Sequence, residues 1–201
     1  MKIVSIDPGK TGSICSFTVN NGKINPNATL NMPVYRIETK PKREVQDLKD
    51  GKKQYYKSGS KKGQIKMKLK SAAKHRTELN VIQIHSIFDY LEPEDVIVIE
   101  RQNPRPGNSA SSSFTTGINY GKLLALAELS DAKIELVAPG VWKKYFGLDL
   151  KPAEKKLLTN TQYKQMSIDK AFELSNIQTT KDGIADAICI GYHYYYTKAK
   201  L

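Results

Sequence analysis

The chain has 201 residues, of which 39% are hydrophobic and 26% charged, with a formal net charge of +12. That length suits one α/β domain with a real core and is short for two. No stretch approaches a membrane span, and the start Met1-Lys2-Ile3-Val4-Ser5-Ile6-Asp7 reads as a strand rather than a signal or transit segment. Cys15 and Cys189 stand far apart without any CxxC or Cys/His cluster, which argues against structural zinc. An intracellular protein with two buried free thiols is expected.

The basicity is concentrated. Residues 40 to 76 hold 14 Lys/Arg and 3 Asp/Glu, a net of +11, so the rest of the chain carries only +1 (12 − 11). A surplus of this kind suggests a polyanionic partner.

In chain order, Lys2 to Ile6 is β-like and stops at Asp7-Pro8-Gly9-Lys10-Thr11-Gly12, where Pro and Gly force a tight turn. Ser13 to Val19 resumes as a strand, and Asn20-Asn21-Gly22-Lys23 is a hairpin signal. A third strand is expected between Thr29 and Ile37. The basic segment has few apolar anchors and reads as a partly flexible excursion over 40–76 from a single domain spanning 1–201. Leu79, Ile82, Ile84, Ile87, Phe88 and Leu91 recur at helical spacing, so a helix is expected over 71–91, ended by Pro93. Val96 to Ile99 is an apolar β-branched run suited to a central strand buried on both faces, and it terminates in Glu100. A Gly/Ser-rich loop over 103–117 follows, then a helix from Ile118 to Leu129 and a strand from Lys133 to Val137. Pro139 opens another helix. Residues 152–175 are mostly helical, and Asp182 to Tyr196 form the last helix. A hairpin-rich start followed by β-α-β crossovers implies an α/β fold with a mixed sheet and packed helices.

Three places offer carboxylates that can converge. Asp7 ends the first strand and Glu100 ends the central one, at the carboxyl edge where α/β sheets place ligands. Asp182 and Asp186 are four apart, on one helix face. Like charges at that spacing repel. Asp182 is near the helix start and has the structural role of a cap available to it. Asp186 has none: it interrupts the apolar run Ile184-Ala185-Asp186-Ala187-Ile188-Cys189-Ile190, so it needs a cation or a hydrogen-bond network. Oxygen-only ligands without His or Cys suit Mg²⁺ or Mn²⁺. Two such ions between Asp7, Glu100, Asp182 and Asp186 would support phosphodiester hydrolysis.

Val4-Ser5-Ile6-Asp7-Pro8-Gly9 resembles the first-strand motif of the RuvC family of Holliday-junction resolvases. Val98-Ile99-Glu100-Arg101-Gln102 resembles its central-strand Glu motif, and Asp182-Gly183-Ile184-Ala185-Asp186-Ala187 its C-terminal double-Asp motif. Val137 to Lys144 is similar to the element between them. The double Asp is spaced by four, as in phage-type and mitochondrial relatives, rather than by the three usual in cellular bacterial enzymes. The basic stretch over 40–76 is longer than the bacterial pattern implies, and the resemblance assigns it no role. The resemblance implies a ribonuclease H-like five-stranded mixed sheet with helices on both faces. It also implies a homodimer with one site per subunit, Mg²⁺ or Mn²⁺ dependence, and paired nicking of four-way DNA junctions recognised by shape.

Candidate DNA contacts are Lys10, Arg101, Arg105, Phe114, Lys122, Lys143 and Lys144, with Lys52, Lys53, Lys61 and Lys62 from the basic segment. Tyr55 and Tyr56 are placed to stack on exposed bases. Phe114 is either a wedge between bases or a core anchor. Lys143 and Lys144 either contact phosphate or merely flank a core Trp142. His193 and its neighbouring tyrosines fit helix packing or a dimer contact better than water activation. Three rivals remain. An ATP-binding fold shares the Ile6 to Gly12 turn but needs a second domain and a second phosphate loop. A non-catalytic junction-binding module has no use for four carboxylates. The same chemistry on flaps, forks or RNA–DNA hybrids is separable only by substrate.

Overall fold

The computed structural model describes residues 1–39, 43–45, 54–57, 59–69, 74–103 and 107–200. The strands are β1 (Lys2–Asp7), β2 (Ser13–Asn20), β3 (Lys23–Asn31), β4 (Val34–Thr39), β5 (Arg43–Val45), β6 (Met67–Leu69), β7 (Lys74–Leu79), β8 (Val96–Glu100) and β9 (Lys133–Val137). The helices are α1 (Val81–Phe88), α2 (Ala110–Glu128), α3 (Pro139–Tyr145), α4 (Pro152–Lys156), α5 (Asn160–Ser175) and α6 (Asp182–Tyr194), the last running on into a π-helical turn, Tyr195–Ala199. The chain divides into two compact units, Met1–Val34 with Leu79–Leu201, and Tyr35–Glu78.

The larger unit is built on a five-stranded sheet in the order β3-β2-β1-β8-β9. β1, β8 and β9 are parallel, and β2 runs antiparallel to both β1 and β3. This is the five-stranded mixed sheet of the α/β fold that the sequence led one to expect. Its first hairpin turns on Asn21 (φ 50°) and Gly22 (φ 66°), two consecutive left-handed residues that match the twist of the flanking strands. That tight turn starts β3 at Lys23, not near Thr29 as expected, and Val34–Thr39 becomes a separate strand. Pro26 is tolerated because β3 is an edge strand, paired beside a bulge at Ser16/Phe17.

Side chains alternate across the sheet with a period of two. Ile3, Val96 and Val98 point into a core shared with α6, α3 and α5, around Trp142, Ile188 and Ile190. Val4, Ile6, Ile97 and Ile99 point to the other face, against Ile84 and Phe88 of α1 and Leu123 and Ala127 of α2. Helices therefore cover both faces. Cys15 and Cys189 are buried free thiols.

Two helix boundaries differ from expectation. The helix expected over 71–91 is only Val81–Phe88, because Asn80 caps it by accepting the Gln83 N–H, while the preceding six residues form β7. The loop expected over 103–117 ends early, because Ser109 caps α2 by accepting the Ser112 N–H and the helix begins at Ala110. Both errors have one cause: a short polar cap outranks the apolar pattern in setting a helix start.

In the smaller unit, β4 pairs with β7 and β5 with β6. A hairpin closes between them, with Tyr56 and Gln64 joined through their backbones and Tyr55 bridging to Ile65. The described part of the basic segment thus contains paired strands, which its composition hid.

Candidate functional site

The period of two decides which carboxylates meet. Ile3, Ser5 and Asp7 share one face of β1, and Val96, Val98 and Glu100 the same face of β8. β1 and β8 pair in parallel through Ile6 and Ile99, which brings Asp7 and Glu100 side by side at the carboxyl edge. α6 lies on that face, held by the Ser5 hydroxyl donating to the Ala187 carbonyl at 2.5 Å. Its first turn sits directly on the turn after β1. A Cβ on Gly183 would lie 2.7 Å from the Thr11 carbonyl oxygen, and one on Gly12 would lie 2.0 Å from the Asp7 carbonyl oxygen. Both glycines permit a backbone approach that no side chain allows. They place Asp182 and Asp186 over Asp7.

Asp7, Glu100, Asp182 and Asp186 line one polar cleft of about 410 Å³ with Lys143, Lys155, Tyr163, Lys164 and Ser167. Burial, then the Glu100 and Asp186 charges, push Asp7 up from 3.8 to about 8, against the pull of Lys143. Burial also raises Asp186, opposed by Lys143 and a hydrogen bond with Ser167. Its Oδ1 atom is buried with no hydrogen-bond partner. Glu100, 5% exposed, accepts from the Trp142 indole Nε1 at 3.0 Å through Oε1 and from Gln102 Nε2 at 3.1 Å through Oε2. Asp182 pairs with Lys164 at 2.7 Å. Asp182 is the first helical residue rather than the cap, a position held by Lys181.

Among the described residues no three His, Cys, Asp or Glu side chains are arranged to hold a metal ion as they stand. Glu100 and Asp182 are turned to protein partners, whereas Asp7 and Asp186 are half-buried in the cleft. The donor set nevertheless fits a hard divalent cation: it is all oxygen, its charges repel one another, and an orphaned carboxylate oxygen is buried among them.

Of the expected DNA contacts, Lys143 lies in this cleft, where its ammonium sits 5.0 Å from the centre of the Trp142 ring. Lys144 and Arg101 are exposed nearby in sequence, and Lys10 lines an adjoining pocket. Lys122 is half-buried on α2. Phe114 projects from α2 at 72% exposure, so it is not a core anchor, whereas Trp142 is fully buried. Lys61 and Lys62 are exposed at the hairpin turn of the smaller unit. Lys52, Lys53 and Arg105 fall outside the described residues. His193 lines a different cavity with Val98 and Glu135, away from the carboxylates, and stacks edge-on against Tyr145 at 5.3 Å. Tyr192 and Tyr195 are buried in the core, not displayed for a partner.

Sequence reasoning missed Lys155, Lys164, Tyr163, Asn160 and Ser167. A signal existed. Asn160, Tyr163, Lys164 and Ser167 recur at i, i+3, i+4 and i+7 on α5, a polar stripe on one helix face.

No family model matches the chain, and no curated protein matches it. Solved structures similar to it include Thermus thermophilus RuvC, at 15% identity and a TM-score of 0.48 over 99% of this chain and 96% of that one. T. thermophilus RuvC in complex with Holliday junction substrate gives 12% and 0.49 over 99% and 96%. The yeast mitochondrial Holliday junction resolvase Ydc2 gives 15% and 0.44 over 98% and 79%. The strand order and the carboxylate cleft stand independently of these likenesses. No helix among the described residues is long and apolar enough to cross a membrane.

Proposed function

We propose that the chain is a divalent-metal-dependent endonuclease that resolves four-way DNA junctions by paired nicks. The observation that carries this reading is the convergence of Asp7, Glu100, Asp182 and Asp186, from three separated segments, on one polar cleft at the carboxyl edge of the sheet. The motif resemblance and the junction resolvases among the similar solved structures support the substrate.

In this reading the four carboxylates hold two Mg²⁺ or Mn²⁺ ions. When bound, the ions supply Lewis-acid stabilisation of the charge that builds on a phosphodiester during hydrolysis. The chain supplies the rest. Trp142 and Gln102 fix the Glu100 carboxylate through two hydrogen bonds, so it is oriented before substrate arrives. Lys143 and Lys155 offer cations to the DNA phosphates at the cleft. Lys164 pairs with Asp182 at 2.7 Å and would be free to face phosphate if that carboxylate served a metal. Phe114, exposed on α2, is available to wedge between unstacked bases. Lys10, Arg101, Arg105, Lys122, Lys144 and the lysines of the basic segment contact phosphate. A homodimer supplies the second site that paired nicking requires.

The test is incubation with a synthetic four-way junction and a matching linear duplex, in Mg²⁺ or EDTA, beside Asp186→Asn. Paired, metal-dependent nicks confined to the junction and absent in the variant are expected. Junction binding without cleavage in any divalent metal would overturn the nuclease reading. Flap and fork substrates cut as fast as the junction would overturn the choice of substrate.

A further inference from the structure

The two aspartates of α6 are each met by a residue of α5. The Ser167 hydroxyl donates to Asp186, and Lys164, three residues earlier on the same stripe, pairs with Asp182 at 2.7 Å. The stripe is fixed at the start of α5 by the capping box of Thr159 and Gln162, and further along by Ala171, fully buried in the core. α6 is fixed in turn by its close approach to the Thr11 carbonyl. Lys164 therefore reaches Asp182 from one ordered helix to another. Lys143 and Lys155, which line the same cleft, lie against the ring of Tyr163 at 6.0 and 4.5 Å.

Formal charge shows what this pair does to cation binding. Asp7, Glu100, Asp182 and Asp186 give −4, and Lys143, Lys155 and Lys164 give +3, so the cleft stands at −1 (3 − 4). One divalent cation brings it to +1 and two bring it to +3. A second ion thus meets an excess of positive charge unless an ammonium moves away or an anion arrives. Lys164 is the ammonium placed to move. Its side chain and that of Asp182 are 49% and 46% exposed. A pair so open to water resists a competing cation by roughly fivefold at most. An ammonium left beside a divalent cation is repelled by it, and a phosphate drawn to the ammonium relieves that repulsion.

We infer that Lys164 is a latch on Asp182, which yields that carboxylate to a divalent cation as a DNA backbone phosphate takes up its ammonium, so that metal loading and DNA binding reinforce each other. The inference rests on the nuclease reading for its metal and its substrate. Lys164 is a positioning residue in this scheme: it acts through Asp182. By reciprocity, the factor that phosphate adds to cation binding is the factor that the cation adds to phosphate binding. The bare protein takes an ion at Asp182 weakly, and the cleft completes itself only on DNA.

The experiment titrates the full chain with Mn²⁺ in the absence of DNA, with free Mn²⁺ read by electron paramagnetic resonance. Wild type is compared with Lys164→Gln, Lys164→Arg, Asp182→Asn and the double variant Asp182→Asn with Lys164→Gln. Thermal melts report whether each is folded. Lys164→Gln should bind the weaker Mn²⁺ roughly fivefold more tightly than wild type, and Lys164→Arg, which keeps the pair, within about twofold of it. The Lys164→Gln effect should shrink to under about twofold once Asp182 is Asn, because the coupling runs through that carboxylate. Affinity for a four-way junction is then measured by fluorescence anisotropy in EDTA and in Ca²⁺. The gain that Ca²⁺ brings should be about fivefold smaller in Lys164→Gln than in wild type. Equal Mn²⁺ affinity in wild type and Lys164→Gln, or an undiminished effect in the Asp182→Asn background, overturns the latch and leaves the metal site standing. An equal Ca²⁺ gain in both proteins overturns its coupling to DNA. No Mn²⁺ bound by any of the proteins overturns the metal-dependent nuclease reading, and the latch with it.

Discussion

Replacing Asp7 with Asn tests the electrostatics of the cleft without reference to DNA. The unfolded chain ionises Asp7 near 3.8, whereas the folded chain holds its proton up to about 8. Between those values the native state binds more protons than the unfolded state, so stability falls as pH rises through this window. Below the window Asp7 is protonated in both states and contributes nothing. The gap of about four units, at about 1.4 kcal/mol each, sets a ceiling of about 6 kcal/mol above pH 8. Asp7 keeps part of its surface open to water, and screening brings the realised value to on the order of 3 kcal/mol. Asn keeps the shape and removes the charge. For a chain of 201 residues this corresponds to a rise in Tm of roughly 6–12 °C at pH 8 in EDTA, shrinking to about a third of that at pH 5. Circular dichroism melts across that range measure it. Mg²⁺ should then raise the wild-type Tm and leave the variant nearly unmoved. A variant that melts at or below wild type at pH 8, or a gap of equal size at pH 5 and pH 8, would refute the reasoning.

Three further expectations follow from single contacts. Gly183→Ala drives a Cβ to 2.7 Å from the Thr11 carbonyl oxygen and must lift the start of α6, so nicking should fall at least tenfold while junction binding in EDTA stays within about twofold. Loss of both together would show that the glycine serves overall folding alone. Trp142→Phe leaves Glu100 Oε1 without its 3.0 Å indole donor, which should cost about 1–3 kcal/mol in a denaturant melt. An unchanged melt would show that the bond is idle. Lys61→Gln with Lys62→Gln removes two exposed cations, and each phosphate contact contributes about 0.9 to the slope of log K against log salt. The slope should therefore drop by close to two, and an unaltered slope would place the hairpin turn off the DNA.

What the sequence by itself determined was whatever depends on local pattern. The unbroken apolar run from Val96 to Ile99, the hairpin at Asn21-Gly22 and the Asp inside an apolar helix are each written in neighbouring residues, and each appears in the fold as expected. Asp7, Glu100 and Asp186 stood out for the same reason, as carboxylates at strand ends or inside an apolar helix, while Asp182 was picked out by its four-residue spacing to Asp186 on one helix face. Helix starts were misread where Asn80 and Ser109 cap them, because one side-chain hydrogen bond moves a boundary that periodicity alone puts elsewhere.

Only the tertiary structure decided which polar residues belong to the site. Asn160 to Ser167 on α5 looks like an ordinary solvated face in the sequence. Whether such a stripe meets water or lines a cleft depends on the rotation of the helix about its axis. That rotation is set by distant contacts, such as Gly183 against the Thr11 backbone and Leu123 against the far side of the sheet. A period of 3.6 residues fixes which side chains share a face, and only the packing of the whole unit fixes what that face meets.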